Sequence, residues 1–133
     1  MDNCIFCKIV RGEIPSYKIY EDDNILAFLD IAPVSPGHVL VVPKKHFKNM
    51  EEIDIEILQD LIAVVKKIGI KIKENVGASG YNICINNDSV AGQVVPHLHF
   101  HIIPRKEGDG LMPWPQKEYS EGEADEIAKK IKL

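Results

Sequence analysis

His97-Leu98-His99-Phe100-His101-Ile102-Ile103-Pro104 places three of the chain's five histidines at alternate positions, with apolar residues between them. In an extended strand neighbouring side chains point to opposite faces, and positions i, i+2 and i+4 recur on one face at roughly 6.6 Å per step. The spacing predicts a strand over 97–103. His97, His99 and His101 form a row on one face, and Leu98, Phe100 and Ile102 turn into a core on the other. Such a segment asks for a sheet with one buried face and one face open to chemistry.

The flanks extend this pattern. A polar loop over 86–93 leads into the row; short extended segments are expected over 17–20, 25–29 and 38–42, bounded by Asp22-Asp23-Asn24 and Pro33-Val34-Ser35-Pro36-Gly37, and a further period-two segment over 81–86. Between 53 and 74 the period changes. Ile53, Ile57, Leu58, Leu61, Ile62, Val64, Val65, Ile68 and Ile72 follow the spacing of one helical face, which predicts the one long helix. From Ser120 the tail has helix-forming composition, and Ser120 with Glu123 fits a capping box for a short last helix. Strands, a helix and strands again, without regular alternation, indicate an α+β fold with an antiparallel sheet.

Composition narrows the function. A chain of 133 residues, 45% hydrophobic, can bury the core of a single domain, and no internal repeat or linker divides it. A formal net charge of -4 gives no overall positive field for a nucleic-acid polymer, so a phosphate-containing partner is expected to be small and locally bound. No apolar run reaches the roughly 18 residues of a membrane span, and Met1-Asp2-Asn3-Cys4 is not a basic region followed by an apolar one. A cytoplasmic location without membrane attachment is expected. Of the three cysteines, Cys84 lies in the apolar run Ile83-Cys84-Ile85 and is expected in the core.

Two chemistries account for the histidine row. Two or three imidazoles could hold a metal that activates water. Alternatively, one neutral imidazole could attack phosphorus or an acyl carbon while its neighbour hydrogen-bonds the oxygen that gains charge. Asn86 and Gly92-Gln93 supply neutral amide donors suited to a phosphate or sugar, although each could equally stabilise its own loop. Cys4-Ile5-Phe6-Cys7 offers two metal ligands, or simply the start of a helix or turn. His46 and His97 would complete a closed Cys2His2 zinc set, leaving His99 and His101 for catalysis.

The row is similar to the signature of the histidine triad (HIT) family, in which histidines alternate with apolar residues. The resemblance also covers residues 4–15, Ala27-Phe28-Leu29-Asp30-Ile31, the run from Gly37 to His46, and Ala91-Gly92-Gln93. It spans a core of about 4–105, leaving 106–133 as an irregular and helical tail. The resemblance implies a five-stranded antiparallel sheet with one main helix, paired as a homodimer. It further implies attack on the α-phosphate of a nucleoside phosphoramidate, acyl-nucleotide or dinucleoside polyphosphate, through a nucleotidyl-histidine that water releases as the monophosphate. A purine nucleotide, adenosine-type, is the implied substrate. By this resemblance His99 is the nucleophile, His101 acts at the phosphate, and His38 supports the triad from the next strand. Asp30 takes the ribose hydroxyls, while Ile5, Phe6, Ile9, Phe28 and Ile31 surround the base and Asn86 and Gln93 lie on the phosphate side. Cys4, Cys7, His46 and His97 match the zinc-binding members, which makes zinc a structural cofactor. Val94 replaces a serine of the animal nucleotide-binding branch, and Pro104-Arg105 resembles the dinucleoside-polyphosphate branch. An adaptor or sensor that binds a nucleotide with incidental turnover is the alternative role.

Overall fold

The structure, a computed structural model, describes residues 3–133. Its elements run α1 (Ile5–Val10), β1 (Lys18–Glu21), β2 (Ile25–Leu29), β3 (Val39–Pro43), α2 (Ile55–Asn75), β4 (Gly80–Cys84), a 3-10 turn (Ser89–Ala91), β5 (Phe100–Arg105) and α3 (Glu123–Ile131). The strands form one antiparallel sheet in the order β1-β2-β3-β5-β4. This is the α+β arrangement expected from the periodicity, with one long helix and a short C-terminal one. Among the described residues no helix is long and apolar enough to cross a membrane.

Two apolar layers sandwich the sheet. On one face Leu61, Val64, Val65, Ile68 and Ile72 of α2 pack on Ile25, Ala27, Val39, Val41, Leu98, Phe100 and Ile102. On the other, Phe6 and Ile9 of α1 cover Leu26, Phe28, Leu40 and Val42. Coverage of both faces explains why β2 and β3 read as nearly continuous apolar runs rather than strict alternation. Helix α1 was not anticipated beyond the possibility of a helix or turn start at the cysteine pair. At six residues it is too short to persist alone, and the burial of Phe6, Cys7 and Ile9 holds it.

The structure corrects several boundaries. Only His101 of the row lies within β5, because the amides of His97 and Leu98 bond to Val95 O at 2.8 Å and Phe47 O at 2.7 Å, outside the sheet ladder. The alternation of faces nevertheless survives, since Leu98, Phe100 and Ile102 all enter the α2-side core. Helix α2 begins at Ile55, while Ile53 is buried in the turn before it. Strand β4 starts one residue early and ends at Cys84, freeing Asn86 for the following loop. Cys84 is half-buried rather than in the core, paired with His101 on the edge strand. In the tail only half of the expected capping box forms: Glu123 accepts the Ser120 amide at 3.0 Å, but Gly122 is the residue capping α3.

Gly37 turns the chain into β3 with φ +95, and a Cβ there would lie 3.1 Å from both Pro104 Cγ and Val76 Cγ1. A left-handed backbone and a crowded site act in the same direction. Gly37→Ala is therefore expected to lower stability by about 1–3 kcal/mol, read as a reduced urea midpoint; an unchanged midpoint contradicts the assignment.

Candidate active site and metal centre

Hydrogen bonds fix where the ring protons lie. His38 Nδ1 accepts the Val34 amide at 3.1 Å, so its proton is on Nε2, which donates to His101 Nδ1 at 2.9 Å. The remaining proton of His101 is consequently on Nε2, a buried atom with no hydrogen-bond partner. His99 Nδ1 lies 2.8 Å from the His97 carbonyl, which can only accept, so Nδ1 carries the proton and Nε2 the lone pair. The two rings are T-shaped neighbours with centroids 4.8 Å apart. A lone-pair nitrogen thus stands beside an unsatisfied N–H donor.

Burial keeps these rings neutral. It lowers the pKa of His38 and His99 from the usual histidine value, and lowers His101 to about 4. The His38 ring is 3.8 Å from Asp30 Oδ2, too far for a hydrogen bond. Because the folded pKa values lie below that of an unfolded histidine, near 6.5, the unfolded chain binds more protons between the two. Stability is expected to be fully present above pH 6.5 and to decline as the pH falls towards 4. Urea titrations at pH 7, 5.5 and 4.5 check this; equal midpoints contradict it.

His97 is turned to a different task. Its Nε2 donates to the Pro43 carbonyl at 2.8 Å, leaving the Nδ1 lone pair 3.4 Å from Cys4 Sγ and 3.6 Å from Cys7 Sγ. His46 Nδ1 lies 3.4 Å from Cys7 Sγ, and ligand atoms of all four residues fall within 4.8 Å of one another. Zinc–sulfur bonds of about 2.3 Å and zinc–nitrogen bonds of about 2.0 Å give tetrahedral S···N edges of roughly 3.5 Å. The four residues therefore fit zinc in donor chemistry and spacing. Burial, reinforced by the neighbouring His46 and His99, lowers His97 to about 4, and burial together with the adjacent Cys4 raises the Cys7 thiol. Asp30, His38 and His101 form a second group of suitable atoms, but a metal there must break the His38–His101 hydrogen bond. The row thus divides between two centres instead of converging on one metal.

The triad opens into a cleft of about 260 Å³ whose walls include Phe6, Asp30, Asn86, Gly92, His99 and His101. It joins an apolar slot of about 120 Å³ lined by Ile5, Phe6, Ile9, Phe28, Asp30 and Ile31. Asp30 belongs to both; its Oδ1 accepts the Ala32 amide, leaving Oδ2 for another donor. The side chain of Gln93, expected on the phosphate side, links the loop to a neighbouring segment, with Oε1 accepting the Asp88 amide at 2.8 Å and Nε2 donating to Lys48 O at 2.7 Å. Leu40 and Val95 line the cleft without having been singled out. Leu40 could have been found from the sequence, because it lies two residues after His38 on an extended segment and shares its face. Val95 could not, because an irregular loop carries no periodicity.

The family model described as HIT domain matches residues 11–108. An uncharacterised HIT-like protein of Methanocaldococcus jannaschii is 50% identical over 129 residues, covering 97% of this chain and 98% of its own. An adenosine 5′-monophosphoramidase of Schizosaccharomyces pombe is 46% identical over 136 residues, with coverage of 98% and 99%. Among solved structures, a zinc-bound histidine triad family protein from Mycobacterium smegmatis has a TM-score of 0.80 at 39% identity, covering 88% of this chain and 85% of that one.

Proposed function

The chain belongs to the histidine triad (HIT) family, and we propose on that premise that it is a nucleotide hydrolase or transferase acting at the α-phosphate of adenosine-type phosphoramidates, acyl-nucleotides or dinucleoside polyphosphates. The observation that carries this reading is the paired protonation of the triad, with a lone pair on His99 Nε2 and an unpartnered N–H on His101.

In the first step His99 Nε2 forms a bond to phosphorus, and the bond to the leaving group breaks with its electron pair departing on that group, an amine taking its proton from solvent. The His101 N–H donates to a phosphate oxygen as charge builds there, replacing solvent by a fixed dipole. His38 holds this proton in place by donating to the opposite nitrogen of the His101 ring. Water then attacks phosphorus and gives up a proton to solvent, the P–N bond breaks, and its electron pair returns to His99 Nε2 as the monophosphate leaves. The apolar slot takes the base, and Asp30 Oδ2 accepts from the ribose hydroxyls. Cys4, Cys7, His46 and His97 hold a structural zinc, which supplies the charge partner for two thiolates and ties α1 to the segment preceding His99. The chain pairs as a homodimer, a reading supported by the open edge at β4 with exposed Ile83 and by exposed Ile62 and Ile70 on α2.

Intact mass spectrometry after rapid, acid-free quenching of the protein with adenosine phosphoramidate tests the covalent step. A transient adduct of one adenylyl group on His99 is expected. Steady turnover without an adduct at any time point, with water oxygen delivered directly to phosphate with inversion, counts against it.

A further inference from the structure

The turn Pro33-Val34-Ser35-Pro36-Gly37, between β2 and β3, lies outside the cleft lining yet is tied to the strand that carries His101. Half-buried Ser35 donates from Oγ to the Pro104 carbonyl of β5 at 2.8 Å, across 69 positions of the chain. Its own carbonyl accepts the His38 amide at 3.0 Å and closes the turn. The neighbouring Val34 amide is thereby held 3.1 Å from His38 Nδ1. A run of hydrogen bonds therefore leaves β5 at Pro104, passes through the turn to His38, and returns to the same strand at His101.

What the Val34 amide prevents gives this run its consequence. A neutral imidazole has two tautomers, and the partner of one nitrogen decides where the proton sits. Asp30 and His38 are already joined by a backbone bond of 2.9 Å, and Asp30 Oδ2 lies 3.8 Å from His38 Nδ1. With the Val34 N–H withdrawn, a His38 proton on Nδ1 would bond to that carboxylate, and a charge-assisted bond is stronger than a neutral one. His38 Nε2 would then be a lone pair, matched only by a proton on His101 Nδ1. Each ring stays neutral with one proton, but both protons change nitrogen. His101 would turn a lone pair instead of an N–H towards the phosphate oxygen, and Asp30 would be occupied by His38.

We infer that Ser35 is a positioning residue that, by holding the Val34 amide on His38, keeps the proton of His101 on the nitrogen facing the phosphate. Its consequence for turnover rests on the hydrolase reading above.

Nitrogen-15 NMR of the histidine rings near neutral pH distinguishes the two tautomers, and is compared with kcat on adenosine phosphoramidate for the parent, Ser35→Ala and Ser35→Thr. In the parent both His38 and His101 are expected to be protonated at Nε2. In Ser35→Ala both protons are expected at Nδ1 in most molecules, and kcat should fall about tenfold, because only the fraction with a proton on His101 Nε2 turns over. Ser35→Thr, which retains the hydroxyl, is expected to restore the parent spectrum and rate. A Ser35→Ala protein whose His101 keeps its proton on Nε2 overturns the assignment whatever its activity or unfolding midpoint, and so does a moved proton with unchanged kcat. A parent without turnover overturns the hydrolase reading, while the spectra still decide whether Ser35 sets the tautomers.

Discussion

Replacing His99 with alanine is expected to lower kcat/KM on adenosine phosphoramidate by three orders of magnitude or more, about 4 kcal/mol of transition-state stabilisation. The size follows from what is removed. His99 Nε2 is a neutral lone pair in the cleft, and its protonation is set by a single hydrogen bond from Nδ1 to the His97 carbonyl. Its neighbour cannot take over, because His101 Nδ1 already accepts from His38 and its Nε2 carries a proton. The substitution also leaves the Phe6 edge without its partner ring, 5.0 Å away in the parent. A stability loss of about 1–3 kcal/mol should accompany it, too little to unfold a typical domain. Adenosine monophosphate binding, measured by calorimetry, should weaken only severalfold because the slot and Asp30 persist. A variant as active as the parent across phosphoramidates and dinucleoside polyphosphates removes His99 as nucleophile.

The second large effect is expected from emptying the proposed zinc site. Cys7→Ala, or exhaustive chelation, is expected to lower stability by several kcal/mol and to abolish nucleotide binding and turnover together. The loss should fall short of the ~10–16 kcal/mol apparent binding energies of zinc-finger peptides, because the α2-side core remains when the metal leaves. A metal held by Cys4 and Cys7 would anchor α1, whose Phe6 packs edge-on against Phe28, His97 and His99 with centroids 5.6, 5.9 and 5.0 Å apart. Ile5, Phe6 and Ile9 also wall the slot. Freeing α1 therefore opens the slot and loosens the carbonyl that sets the protonation of His99. Thermal unfolding and calorimetric nucleotide titration before and after chelation, with zinc added back, check the order of events. Activity that vanishes while the unfolding temperature stays constant assigns the metal to the chemistry instead.

The two centres share a backbone, which is why one motif reads so differently at its three histidines. His97 contributes its side chain to the metal group and its carbonyl to His99. His99 bridges to the cleft, and His101 is coupled to His38 across the sheet. Loop residues divide in the same way. Asn86 and Gly92 reach the cleft, whereas neighbouring Gln93 stabilises the loop that carries Val94.

Helix α2, the β2 and β3 strands and the alternating faces around Leu98, Phe100 and Ile102 were legible in the sequence. Each is written in spacings of two to four residues, and burial acts on such spacings directly. The short α1, the early end of β4 and the late start of β5 were not. Their backbone amides and apolar contacts are satisfied by distant segments rather than by neighbours, as the Leu98 bond to Phe47 O illustrates. The motif likewise marked a set of candidate ligands and catalytic groups without sorting them. Protonation at His99 and His101 depends on partners brought near by folding, including a His38–His101 bond across 63 positions and a His97–Pro43 bond across 54. The sequence by itself determined which residue types share a face; only the tertiary structure decided which nitrogen on that face holds a proton, because a hydrogen bond depends on distance in space rather than separation along the chain.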